Sequence, residues 1–293
     1  MNYDEHAMMT RPAMARPEAW RTAAGFVAIA VATGFLNAGF YAVVDSVAPQ
    51  WSRTYLQGAG LGQTPMSLLV VLLSFGLAII AVAATLRILH GRGLSTAMGP
   101  LMMVMRDFLA CLKILVPIIF LFALIPSPEG QHLIPHLSFG TWIMLLPFAL
   151  VGLIIQVGSE EILFRGYLQQ QLAARFANPA VWLLVPSTLF ALGHYDPNAG
   201  AVAGYVIIWA LLFGVAAGDL TARAGNLGPA IAMHFVNNAM AMLIVSLPDS
   251  LSGLALYHYP YTTAQIAEAS PLMLFDLVHL LISWLACRVA IRR

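Results

Sequence analysis

The chain has 293 residues, 60% of them hydrophobic and only 9% charged, with a formal net charge of +1. Soluble domains carry roughly 45–50% apolar residues, so a mean hydropathy of +0.82 excludes an ordinary soluble globular protein. The near-zero net charge argues against nucleic acid as a partner, and Cys111 and Cys287, both in apolar runs, suggest neither a disulfide framework nor a zinc knuckle.

Residues 1–22 read as a polar N-terminal tail of mixed charge. The apolar run that follows, near 23–44, is too long for a signal-peptide core and shows no small-residue cleavage site. A helix of about 20 apolar residues crosses a ~30 Å hydrocarbon core. Further runs near 64–86, 107–125, 141–160, 180–195, 202–219, 228–247 and 271–290 bring the expected count to about eight. The expected fold is all-α: a polytopic transmembrane helical bundle, with residues 23–293 forming one transmembrane domain and no internal repeat. Asn37 and Asp45 near the first span, and Asp276 and His279 in the eighth, read as packing or interface groups. Arg106-Asp107 reads as an interfacial pair. Gly214 and Gly218 in the sixth span form a GxxxG suited to close helix approach, either inside the bundle or between copies.

Short-loop arginines set the expected orientation. Arg11, Arg16 and Arg21 precede the first span; Arg87, Arg92 and Arg106 lie between the second and third. Arg165 and Arg175 follow the fourth, Arg223 the sixth, and Arg288, Arg292 and Arg293 close the chain. The first loop has only Arg53, and the loops at 126–140, 196–201 and 248–270 have no Lys or Arg. Both termini are expected to be cytoplasmic.

Polar groups inside the spans stand out against this background. In VGSEEILFRGYL (157–168), Glu161 and Arg165 are four apart, on one helical face and able to pair. Glu160 points about 100° away and is expected to lack a local partner. The segment is either a charged helix cap or a functional site, because intramembrane charges are costly. Phe190 and His194 are four apart in STLFALGH, and His234 and Asn238 are four apart in HFVNN. Each alone suits interhelical hydrogen bonding. Three such groups within about 80 residues suggest more than packing.

Their chemistry allows two arrangements. A desolvated carboxylate can act as a general base near neutrality; with a histidine beside it, it can activate a water. A second histidine and an asparagine amide can stabilise the oxyanion of a tetrahedral intermediate. Alternatively, His194 and His234 with a glutamate could hold a zinc ion with one open position. Either arrangement hydrolyses an amide or ester at membrane depth. Ser159 and Ser187 lack a nucleophile elbow, and there is no HExxH. A proton-coupled transporter also places carboxylates and histidines in spans, although no inverted repeat supports it here.

EEILFR (160–165), FALGH (190–194) and HFVNN (234–238), in that order, resemble the three motifs of the CAAX prenyl endopeptidase and bacteriocin-processing family of intramembrane proteases (CPBP, or type II CAAX proteases). RGYL and ARAGNLGPAIAMH resemble its neighbouring sequence, so the likeness covers about 141–247, the expected catalytic core. It implies an intramembrane endopeptidase cleaving a membrane-associated protein or peptide within the bilayer. Glu160 is then the base that activates water, assisted by His194. His234 and Asn238 are the oxyanion-stabilising pair, and Glu161, Arg165 and Phe190 support them. The resemblance is compatible with zinc on His194 and His234 or with a metal-free, glutamate-activated water. A non-proteolytic scaffold or immunity protein of the same family has the same motifs. The bacterial plasma membrane is the expected location.

Span counting conflicts with convergence of these residues. It places His194 near the far end of the fifth span and His234 about five residues inside the cytoplasmic end of the seventh. At 1.5 Å per residue those depths differ by much of the bilayer. Gly193 and Asp196-Pro197 are the points where the fifth span can break.

Overall fold

A computed structural model describes residues 3–57, 60–123, 132–263, 265 and 270–292. Helices dominate: α1 (Ala19–Val47), α2 (Pro65–His90), α3 (Leu101–Ala123), α4 (Phe139–Arg175), α5 (Pro179–Leu192), α6 (Ala203–Ala224), α7 (Gly228–Ile244) and α8 (Ser270–Ile291). Local sequence sets their ends. Thr64, Ser138 and Asn178 accept hydrogen bonds from first-turn amides of α2, α4 and α5, with Pro65 and Pro179 in the first turn. Gly91 and Gly225 close α2 and α6 in left-handed conformation, with φ of 66° and 67°.

Each expected segment contains a helix, residues 124 and 125 of the third lying outside the described residues, but five helices among the described residues are long and apolar enough to cross a membrane: α1, α2, α4, α6 and α8. α3, with 23 described residues, carries Arg106, Asp107 and Lys113 and is not among the five. α5 has 14 residues and reaches about 21 Å at 1.5 Å per residue, short of the ~30 Å core. α7 is also shorter than a full span. The short helices α5 and α7 carry the histidine motifs and pack inside the bundle, with Phe190, Ala191, Ala230, Met233 and Val236 in one buried cluster with α6. α1 lies at the periphery and leaves Val31, Phe35, Val43 and Val47 exposed.

Among the described residues, strands pair at one place. β1 (Ile134–Pro135) pairs antiparallel with β3 (Tyr257–His258), which pairs parallel with β2 (Val245–Ser246). This small sheet joins the segment before α4 to the segment after α7. Trp142 reinforces it by donating from Nε1 to the Leu243 carbonyl at 2.8 Å.

At the opposite end the N-terminal segment folds under the bundle. A short helix, His6–Thr10, buries His6, Met9 and Thr10. Tyr3 donates to Asp219 Oδ1 at 2.8 Å, while Trp284 of α8 donates to Asp219 Oδ2 at 3.0 Å. Arg223 pairs with the same carboxylate at 2.9 Å. The N-terminal segment and the last turns of α8 therefore lie at one end of the molecule.

The GxxxG of α6 is used inside the bundle. A Cβ on Gly214 would lie 2.8 Å from the Ser187 Cβ of α5, and one on Gly218 would lie 3.0 Å from Leu183 and Gln169. The close approach uncovers two carbonyls: Gly214 O accepts from Arg165 Nη2 at 3.3 Å and Gly218 O from Gln169 Nε2 at 3.0 Å. Asn37 and Asp45 are satisfied locally, by the Thr33 carbonyl at 3.0 Å and by Gln57 at 3.3 Å. Arg106 and Asp107 pair at 2.7 Å. Cys111 and Cys287 are free thiols.

Candidate active site

α4 supplies Gln156, Glu160, Glu161 and Arg165. The α-helix ends at Glu161 and passes into a wider π turn over Ile162–Gln169, a distortion that recurs at functional sites. Across it Arg165 Nη1 donates to Glu161 Oε1 at 2.9 Å, both side chains at most 1% exposed. The Arg165 guanidinium also lies 4.7 Å from the Phe190 ring centroid. The expected pair is thus a buried bridge, oriented by an aromatic face and a glycine carbonyl.

α7 supplies His234 and Asn238. Its start is fixed by Asn226, which donates to Asp107 Oδ2 at 2.8 Å and accepts from the Gly228 amide at 2.9 Å. That buried turn sets the height of His234. Its Nδ1 meets Glu161 Oε1 at 2.7 Å and its Nε2 stands 3.6 Å from Glu160 Oε2. A carboxylate accepts only, so Nδ1–H donates to Glu161 and Nε2 is the nitrogen presented to Glu160.

Glu160 is not without a local partner, contrary to the expectation from its helical direction. Gln156, one turn earlier, donates to Glu160 Oε1 at 2.8 Å and accepts from Asn238 Nδ2 at 3.0 Å. Asn237 donates to Asn238 Oδ1 at 3.1 Å. Gln156 thereby couples the carboxylate to the asparagine. Glu160 Oε2 remains buried without a protein hydrogen bond.

His194 sits differently. α5 ends at Leu192, so His194 falls in the turn beyond a short helix. Its Nδ1 donates to the Phe190 carbonyl at 2.8 Å, and its ring is 4.4 Å from that of Phe190. Phe190 is the hub: it also meets His234 at 6.0 Å and Phe213 at 5.9 Å between centroids. The structure therefore links Glu160, Glu161, Arg165, His234 and Asn238 by polar contacts. His194 joins them through Phe190, is exposed, and makes no polar contact with either glutamate among the described residues.

Residues 138–240 match the family model described as type II CAAX prenyl endopeptidase, Rce1-like. The match spans 103 of the chain's 293 residues. A curated relative, "Uncharacterized protein YyaK" of Bacillus subtilis (strain 168), is 30% identical over 115 residues. The match covers 38% of this chain and 38% of that protein. No solved structure matches significantly. All three motifs, and the bridging Gln156, fall inside the Rce1-like segment.

Gln156, Phe213 and Asn226 are the site residues that the sequence reading missed. Gln156 is four before Glu160, a spacing that signals a partner. Asn226 lies in the ARAGNLGPAIAMH stretch. Phe213, whose ring is 4.8 Å from that of His234, looks like any apolar residue of a span. A zinc centre needs three protein ligands, and no three His, Cys, Asp or Glu side chains among the described residues form such a set. His234 already commits Nδ1 to Glu161, and His194 lies across the Phe190 ring. The donors as arranged do not fit the zinc alternative on His194 and His234.

Proposed function

We propose that the protein is an intramembrane endopeptidase in which Glu160 activates water against a peptide bond of a membrane-associated protein or peptide. The observation that carries this reading is Glu160 itself. One oxygen is anchored by Gln156, while the other is buried, free of protein donors and faces His234 Nε2 at 3.6 Å. A carboxylate fixed in this way is oriented as a general base requires.

Glu160 takes a proton from water as the water oxygen bonds to the scissile carbonyl carbon. The carbonyl electrons move to oxygen, where the Asn238 amide and His234 stabilise the charge, a role that requires His234 to carry a proton on Nε2 as well as on Nδ1. Collapse breaks the C–N bond, and the proton held by Glu160 passes to the leaving amine. His194, turned to the Phe190 carbonyl on the far side of the Phe190 ring, takes no proton in these steps. Glu161 and Arg165 act as positioning residues, fixing the tautomer and tilt of His234. We derive no step through a metal; a chelator should therefore leave turnover unchanged, and activity lost to chelation and restored by zinc would contradict this.

We place the protein in a bacterial plasma membrane with both termini cytoplasmic. This is supported by the arginine distribution and by the N-terminal segment and the end of α8 sharing one end of the fold. The test is to compare membrane-derived peptides from cells producing the wild type or Glu160→Ala. New peptide termini confined to wild-type cells support the reading; identical peptide sets overturn it.

A further inference from the structure

The search for a second site leads to the seam between α3 and α8, away from Glu160. The two helices meet tightly at Cys111 and Cys287, whose thiol and carbonyl are 4.0 Å apart. Beside that contact lies a groove of about 560 Å³, lined by Arg106, Leu109, Lys113 and Ile114 of α3 and by Val289 and Arg292 at the end of α8. On α3 these are positions i, i+3, i+7 and i+8, one face of a helix, opposite the face buried through Cys111 and Leu115.

Three cations and an aliphatic floor share this groove. Lys113 stands twelve residues along α3, about 18 Å from its start, and has no carboxylate partner among the described residues. An unpaired lysine within a helix of a membrane protein is costly unless it serves a ligand or reaches the interface. Arg106 is held through Nε by Asp107 at 2.7 Å, which orients its fork and leaves its other N–H groups for an anion. Asp107, with Glu5 as a weaker influence, is the carboxylate acting on it. Arg292 adopts a left-handed backbone, φ 55°, turning the chain at the end of α8 beside the groove.

We propose that this groove binds an anionic glycerophospholipid, its phosphodiester on Lys113, Arg106 and Arg292 and an acyl chain along Leu109, Ile114 and Val289. Basic pockets between transmembrane helices bind anionic headgroups in this way. The opposed charges, the apolar floor and the helices' place in a membrane protein fit such a lipid. A protein ligand would not need the chain-sized apolar strip.

The test is native mass spectrometry of the full chain in detergent, titrated with phosphatidylglycerol or with phosphatidylcholine of the same chains. The wild type should retain phosphatidylglycerol preferentially. Lys113→Gln with Arg292→Gln, both exposed positions, should weaken it about tenfold to thirtyfold, taking ~1 kcal/mol for each charge removed. Leu109→Trp, which fills the groove without changing charge, should weaken both lipids, whereas Arg53→Gln should change nothing. Equal retention of the two lipids, preference surviving the double substitution, or displacement of the lipid by inorganic phosphate alone would overturn the proposal.

Discussion

Arg165 concentrates the interactions that hold the site: a carboxylate, a carbonyl and two aromatic rings surround a guanidinium that is 1% exposed. Removing one partner of a buried pair costs about 3–5 kcal/mol, because the remaining charge keeps its desolvation penalty. Arg165→Ala should therefore lower the melting temperature in detergent and abolish turnover, and Arg165→Lys should rescue little, since lysine lacks the planar fork. A wild-type melt for Arg165→Ala would contradict the bridge. Gln156→Leu should orphan Glu160 Oε1 and Asn238 Nδ2, costing about 1–3 kcal/mol and reducing turnover without moving Arg165; undiminished turnover would remove Gln156 from the site. The Glu161–Arg165 pair was legible in sequence because four-residue spacing on a helix is unambiguous. The same spacing held for Gln156 and Glu160, but an amide in a span reads first as helix–helix packing. Phe213 could not be found this way, because its role arises only when α5, α6 and α7 meet.

Element lengths decide whether the site forms at all. The helical pattern of the chain was legible in its apolar runs, yet hydropathy could not show that α5 stops at Leu192. It stops in a stretch where apolar residues continue into Gly193-His194, and the resulting short helix brings His194 to the level of Phe190. Whether the GxxxG serves the bundle or a second copy was equally open. Its contacts settle this through the backbone: Gly214 lets α6 approach α5 and hands a carbonyl to Arg165. Gly214→Leu should thus be destabilising by at least the ~1–3 kcal/mol typical of overpacking. Gly204→Ala in the same helix, where an added Cβ meets nothing within 4 Å, should be neutral in a thermal melt. Equal melts for the two variants would mean that α6 does not approach α5 as described.

At the scale of the molecule, the N-terminal segment closes one end of the bundle and introduces a pH dependence. His6 is buried beside Trp182, ring centroids 4.8 Å apart, and burial depresses its pKa from 6.5 to about 4. The unfolded or undocked segment binds the proton more readily. Docking is therefore strongest above pH 6.5 and weakens as pH falls towards 4, losing about 2 kcal/mol by pH 5 at ~1.4 kcal/mol per pH unit. Protection factors over residues 3–16, each corrected for the intrinsic slowing of exchange at lower pH, should fall between pH 7 and pH 5 in the wild type and lose that dependence in His6→Gln; pH-independent protection in the wild type would contradict it. In sequence this stretch read only as a polar tail, because its buried positions, His6, Met9, Thr10 and Ala13, are matched by partners far along the chain. The proposed chemistry rests on one partly buried carboxylate, and its most direct test is Glu160→Gln in the purified full chain, assayed on a peptide identified from wild-type membranes. The substitution preserves shape and removes a charge, so the melt should match or exceed that of wild type while hydrolysis disappears. Turnover near the wild-type rate with an intact melt would contradict the assignment of Glu160 as the base.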